Sequence, residues 1–190
     1  PDSLDARFIE LFAHPKMAPH LHLCLQSGSD RILLQMRRMY TVTGYRDIVS
    51  RLRERFPDFN LTTDIIVGFP GEDEEEFGIT LSLAEEIGFS HIHTFPYSKR
   101  AGTRAERMDA QVSEQEKQHR GKRVRALSER MKREYRSRFV GREQRLLVER
   151  VEEVDGVKVA RGHGEHYVPI RLSGTGAAPN SLVNVTVVGI

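Results

Sequence analysis

Cysteine is nearly absent from this chain: among 190 residues there is one, Cys24. No intrachain disulfide can form, and no cysteine-ligated metal or iron–sulfur centre can be assembled from these residues alone. Long apolar runs are missing as well, since nothing approaches the roughly 18 consecutive apolar residues of a membrane span. The opening PDSLDARFIEL has neither the basic start nor the apolar stretch of a secretory signal. The expectation is a soluble, cytoplasmic protein. Aromatic residues are only 7% of the chain, and the most basic segment has few of them, so little there can stack on bases.

Charge of both signs is present but unevenly placed. Residues 1–112 carry 13 Lys+Arg against 17 Asp+Glu, a net of −4. Residues 113–145 carry 12 against 5, a net of +7, and the remainder 4 against 5. One segment holds the positive field, and a polyanion is its natural partner.

The stretch TTDIIVGFPGE, Thr62 to Glu72, organises what is present. Leu61 to Val67 is an apolar, partly β-branched run that ends in Gly68, Pro70 and Gly71, the pattern of a buried strand entering a tight loop. Asp73 then caps a helix, with Glu76 at capping-box spacing and Glu74 and Glu75 in the first turn, where the helix dipole favours negative charge. The acidic run needs no other explanation. This helix is expected to bury Phe77, Leu81, Ala84 and Ile87 and to stop at Gly88.

Similar units flank it. Leu4, Phe8, Leu11 and Phe12 share a helical face before Pro15 and Pro19 force a loop. Leu21 to Leu25 reads as a strand, with Gln26, Ser27, Gly28 and Ser29 just past its end. Ser29 caps a helix through Arg38, and Thr43 restarts one that Pro57 closes. His91 to Phe95 is a third strand, with Pro96 to Arg100 as its exit loop. Strand starts near 21, 61 and 91 each leave room for a crossover helix, so the strands are parallel and their exit loops share one face.

Ser113 opens a single long helix with Val124, Leu127, Met131, Tyr135 and Phe139 as a narrow apolar stripe. From Arg142 the period becomes two, and Asp155-Gly156 signals a type I′ hairpin. The expected fold class is α/β: a partial parallel β/α barrel over 1–112, a basic connecting helix over 113–141, and a small antiparallel β-barrel over 142–190. His91 and His93 share a strand face and His163 and His166 flank a glycine-rich loop, but neither pair has evident companions, so no metal site is assigned. Ser27 lacks the sharp strand-to-helix elbow of a hydrolase nucleophile.

The motifs HLHLCLQSGSDRILLQMRRMYT, TTDIIVGFPGEDEEEF and HIHTFPYSKRAGTRA, in this order and spacing, resemble the C-terminal half of the radical S-adenosylmethionine domain of tRNA methylthiotransferases. The tail from Arg142 resembles the RNA-binding TRAM domain that follows it there. Among the branches, the histidine-flanked third strand with FPYSKR looks most like the enzyme acting on N6-threonylcarbamoyladenosine 37; the isopentenyladenosine and ribosomal protein S12 branches are the alternatives. A non-catalytic RNA-binding module is a further one. The cysteines that hold two [4Fe–4S] clusters in that family have no counterpart here, and Pro1 falls where its third barrel strand has ended. The chain thus looks like an excised piece of a longer enzyme, inactive alone and prone to self-association at the opened barrel edge. Cys24 is expected to be a small buried hydrophobe.

The resemblance implies S-adenosylmethionine as cofactor, with Gln26, Ser27, Arg38, Asp64, Phe95, Pro96 and Tyr97 as candidates to touch it; no catalytic residue is assigned. From the residues alone, Gln26 and Asp64 serve equally well as loop caps, and Arg38 as a solvated ion pair. In the implied reaction, reductive cleavage of the cofactor gives a radical that takes the C2 hydrogen of the adenosine, and sulfur and methyl follow. The implied partner is the tRNA anticodon stem-loop, contacted by Lys99, Arg100, Arg104, Arg133, Arg136, Arg142 and Arg145.

Overall fold

The computed structural model describes residues 4–190; the reading of Pro1 lies outside them. Three parallel strands, β1 (His20–His22), β2 (Asn60–Val67) and β3 (His91–Pro96), form a sheet in the order β1-β2-β3. Helices α1 (Ala6–Glu10), α2 (Asp30–Gln35), α3 (Val42–Arg55) and α4 (Glu74–Ile87) occupy the intervals. Leu25, Ile65 and Val67 of the sheet layer pack with Phe77, Leu83 and Ala84 of α4 in the main core. The helix caps follow the side chains. Ser29 accepts from Ile32 N, and Asp73 and Glu76 cap each other's backbone reciprocally.

Several boundaries differ from expectation. The helix opened by Ser29 stops at Gln35 rather than Arg38, because Arg37 is left-handed at φ +59°. The next one is capped not by Thr43 but by Thr41, whose hydroxyl accepts from Gly44 N. In α4 it is Leu83, not Leu81, that is fully buried. The first strand is regular only over three residues. Beyond His22, the Thr63 hydroxyl intrudes into the ladder, accepting from Leu25 N and donating to Leu23 O at 2.8 Å each. Gln26, at φ +66°, then rejoins β2 through Asp64 O and Ile66 N.

α5 (Glu114–Ser137) is 24 residues, about 36 Å at ~1.5 Å per residue. It is an integral wall: Val124 and Met131 lie in the main core, and Ser128 Oγ accepts from Ile92 N at 2.9 Å. Strands β4 (Glu143–Val154), β5 (Val157–His163), β6 (Pro169–Ser173) and β7 (Leu182–Thr186) then form a curled antiparallel half-barrel in the order β6-β5-β4-β7. Asp155 and Gly156 both have positive φ, as a type I′ turn demands. The curl centres on a register shift between Val148 and Arg150. Opposite it sits Gly162, where a Cβ would lie 1.8 Å from Leu147 O.

The two sheets meet at side chains the sequence separates widely. Tyr135 Oη donates to Asp58 O at 2.8 Å, Asn60 Nδ2 to His166 O at 2.6 Å, and Tyr167 stacks between His20 and His163, 4.5 Å from each. Among the described residues no helix is long and apolar enough to cross a membrane.

Candidate functional site

The C-terminal ends of the three parallel strands open on a cavity of about 590 Å³. Because side chains alternate along a strand, Asp64 and Ile66 point to this face while Ile65 and Val67 point to the core. Gln26, Arg38, Asp64, Phe95, Pro96 and Tyr97 all line it, which brings six of the seven anticipated cofactor residues together. Ser27 is placed elsewhere: it is fully buried, lies 3.5 Å from Thr80 Oγ1, and its hydroxyl accepts from Ser29 N at 3.2 Å. Arg100, anticipated as an RNA contact, also lines the cavity, as do Gln35, Met36 and Phe69, which the sequence reading missed. Phe69 was legible in GFPGE as the one apolar residue inside a glycine-rich turn.

Two features hold this mouth in shape. Gly28 lies against α4 so closely that a Cβ would sit 2.6 Å from Thr80 Cα, and Gly28 N donates to Thr80 Oγ1 at 2.9 Å. The loop carrying Gln26 is thereby clamped to the helix. On the other side Glu72, the last residue of GFPGE, accepts from Gly68 N at 2.6 Å and from Arg120 Nη1 at 2.9 Å. Both charged side chains are nearly inaccessible, 1% for Glu72 and 6% for Arg120. Burial pushes the Glu72 carboxyl above the ordinary carboxylate range, against the pull of Gly68 N–H and Arg120. Neither residue was anticipated at the site. Lys117, also buried, lies over the Tyr97 ring at 5.3 Å from its centroid.

Cys24 is not the buried hydrophobe expected. It is half-buried, and its thiol lies 3.3 Å from His22 Nε2 and 3.5 Å from Asp64 Oδ2. Burial, then Asp64, push that thiol upward in pKa. A second cavity of about 550 Å³ opens at the opposite end of the sheet, lined among others by His20, His22, His91, His93 and Arg136.

The basic residues are distributed differently from the simple picture of a charged surface helix. Arg120 is internal, Arg123 pairs with Glu74, Arg130 with Glu85 and Glu134, and Lys132 with Glu129. Arg142 pairs with Asp58 at 2.8 Å and Arg145 with Glu165 at 3.3 Å. Lys99, Arg100, Arg104 and Arg133 are exposed, and Arg136 is half-buried.

The sequence model of the radical SAM superfamily matches residues 1–84. The fold is similar to that of coproporphyrinogen III oxidase from Escherichia coli, a radical SAM enzyme, with a TM-score of 0.54 over 68% of this chain and 30% of that one at 18% identity. A tRNA-2-methylthio-N(6)-dimethylallyladenosine synthase of Thermobifida fusca is 51% identical over 70% of this chain and 27% of its own. One of Methylobacillus flagellatus is 38% identical over 98% of this chain and 42% of its own. The threonylcarbamoyladenosine tRNA methylthiotransferase MtaB of Thermotoga maritima is 43% identical over 72% and 31%. The chain is thus similar to tRNA methylthiotransferases over most of its length and to the radical SAM superfamily over residues 1–84. It spans less than half the length of these curated relatives.

Proposed function

We propose that this chain forms the cofactor-binding wall and the RNA-facing part of an enzyme that methylthiolates an N6-modified adenosine in tRNA. The observation that carries the reading is the convergence of Gln26, Arg38, Asp64 and the Phe95–Tyr97 loop on one cavity at the strand ends. S-adenosylmethionine suits this donor set. Asp64 offers a carboxylate to a ribose diol, Arg38 a cation to the amino-acid carboxylate, and Phe69 and Phe95 apolar walls to adenine. Tyr97 Oη is buried with no hydrogen-bond partner, a group a polar ligand would satisfy. When bound and reduced, that cofactor supplies hydrogen-abstracting power; this chain's residues bind it, orient it and keep water from it. An iron–sulfur cluster does not fit the residues present, since one cysteine cannot ligate it.

For the substrate, dimethylallyladenosine has better support than the threonylcarbamoyl nucleoside that the FPYSKR motif suggested. Relatives named for the former reach 51% identity over 70% of the chain or span 98% of it at 38%, against 43% over 72% and 38% over 90% for the latter. Calorimetry with S-adenosylmethionine on the chain tests the cavity: binding that Asp64→Asn and Arg38→Ala both weaken is expected, and no binding, or binding indifferent to both, overturns it. Exchanging the matching segment of the Thermobifida relative for this chain and measuring tRNA nucleosides by mass spectrometry tests the activity. The methylthio group should appear on dimethylallyladenosine.

A further inference from the structure

Below the cavity, three adjacent strands each direct one donor onto the same concave face: His22 from β1, Asp64 from β2 and His93 from β3. Asp64 and His93 are register partners, so the backbone ladder itself places them side by side. One ligand atom from each of the three lies within 4.8 Å of the other two. The thiol of Cys24, two residues past His22, lies beside two of them, His22 and Asp64, at the edge of the group.

Around His22 the separations are those of ligands around a small ion. His22 Nε2 is 3.3 Å from Asp64 Oδ1 and 3.3 Å from Cys24 Sγ, and Cys24 Sγ is 3.5 Å from Asp64 Oδ2. Tetrahedral zinc, with bonds of ~2.0 Å to nitrogen or oxygen and ~2.3 Å to sulfur, holds its ligand atoms about 3.3–3.6 Å apart. The outer contacts match as well: His22 Nδ1 is 3.0 Å from Thr62 Oγ1, a partner that can hold the ring with Nε2 turned to the site. Donors on strands of one sheet are positioned by the ladder rather than by loops.

We propose that His22, Asp64 and His93 form a binding site for one divalent transition-metal ion, zinc by preference, which the Cys24 side chain turns in to join as the fourth ligand when the metal binds. Two imidazoles, a carboxylate and a thiolate are too soft a set for magnesium or calcium and suit a four-coordinate first-row metal. Binding displaces the thiol proton of Cys24 to solvent, so metal uptake releases about one proton per ion. The site goes beyond the proposed function and shares only Asp64 with the upper cavity, so metal and ribose would compete for that carboxylate, while the other donors do not line that cavity.

Cobalt is the probe, added to the full chain after chelator treatment. One equivalent should give the intense visible bands of four-coordinate cobalt together with a near-ultraviolet sulfur-to-metal band, and zinc should displace it. Cys24→Ser should remove the ultraviolet band alone, His93→Ala should abolish the four-coordinate spectrum, and Thr62→Val should weaken affinity about 10-fold. His93 is exposed and Cys24 half-buried, so both variants should keep the fold, which circular dichroism checks. A weak octahedral spectrum, a wild-type spectrum without the sulfur band, or binding unchanged in His93→Ala overturns the site.

Discussion

Arg120 reaches 48 residues back along the chain to Glu72, where its Nη1 donates to both the carboxylate, at 2.9 Å, and the backbone carbonyl, at 3.0 Å. The same carboxylate holds Gly68 N, so one buried pair couples the long helix to the turn that shapes the cavity. Arg120→Ala leaves Glu72 buried and uncompensated and should cost about 3–5 kcal/mol in denaturant unfolding. Glu72→Gln keeps an acceptor for Arg120 and Gly68, and Arg120 retains Glu116 at 2.9 Å, so its loss should be smaller. Equal stability of Arg120→Ala and wild type would mean that the helix docks without this pair.

Gly28→Ala addresses the clamp on the opposite side of the mouth. Its Cβ would meet the Thr80 backbone at 2.6 Å, and a helix backbone cannot step aside as a side-chain tip can. A destabilisation of about 1–3 kcal/mol is expected. Cofactor affinity should fall with it, because the loop that carries Gln26 must move. Calorimetry on the folded variant separates the two effects.

The elements and their order were legible because each carries its own period and cap: alternation around Asp64, the Asp73–Glu76 box, the stripe from Val124 to Phe139. The cavity was legible for a related reason, since parallel strands force their exit loops to one end. What the sequence hid was pairing at a distance. Nothing local marks Arg120 as the partner of Glu72, or Thr63 as the residue whose hydroxyl interrupts the first strand. The twelve Lys and Arg of residues 113–145 read as one positive field. Their carboxylate partners Asp58, Glu72, Glu74 and Glu85 lie on other elements. Cys24 and the histidines were read strand by strand, which is why neither histidine pair showed companions.

Acid should loosen the contact between the two sheets. Burial lowers the pKa of His20, His91 and His166, with His22 and His163 adding to the effect at His20. A histidine depressed in the folded state stabilises above its unfolded value of about 6.5, and that contribution is lost as pH falls through the folded value. Thermal midpoints should therefore drop as the pH falls below about 6.5. His20→Phe keeps a ring against Tyr167 and removes a buried Nε2 that has no partner, so it should flatten this dependence without destabilising the neutral-pH protein.

RNA binding should run through phosphates, and the structure narrows which cations to test. Lys122, Arg125 and Arg133 are exposed on α5 and, with the half-buried Arg136, lie at helical spacing on one face. The ion-paired Arg120, Arg123 and Arg130 lie on another face, and Lys132, on the same face, is held by Glu129. If about three to five such groups reach phosphates, raising salt from about 50 to 200 mM should weaken tRNA binding by roughly 1.5 to 3 powers of ten. Replacing Lys122, Arg125 and Arg133 together by glutamine should lower the logarithmic slope by about 0.9 for each phosphate no longer neutralised, uniformly across RNA sequences. Arg142→Gln should behave differently. Its guanidinium is held by Asp58 and lies 5.3 Å from the Phe139 ring centroid, so its removal should appear as weaker docking between the sheets and lower stability rather than as a flatter slope. A salt-independent affinity, or a slope unchanged by the triple substitution, would mean that the exposed face of α5 is only a solvated surface.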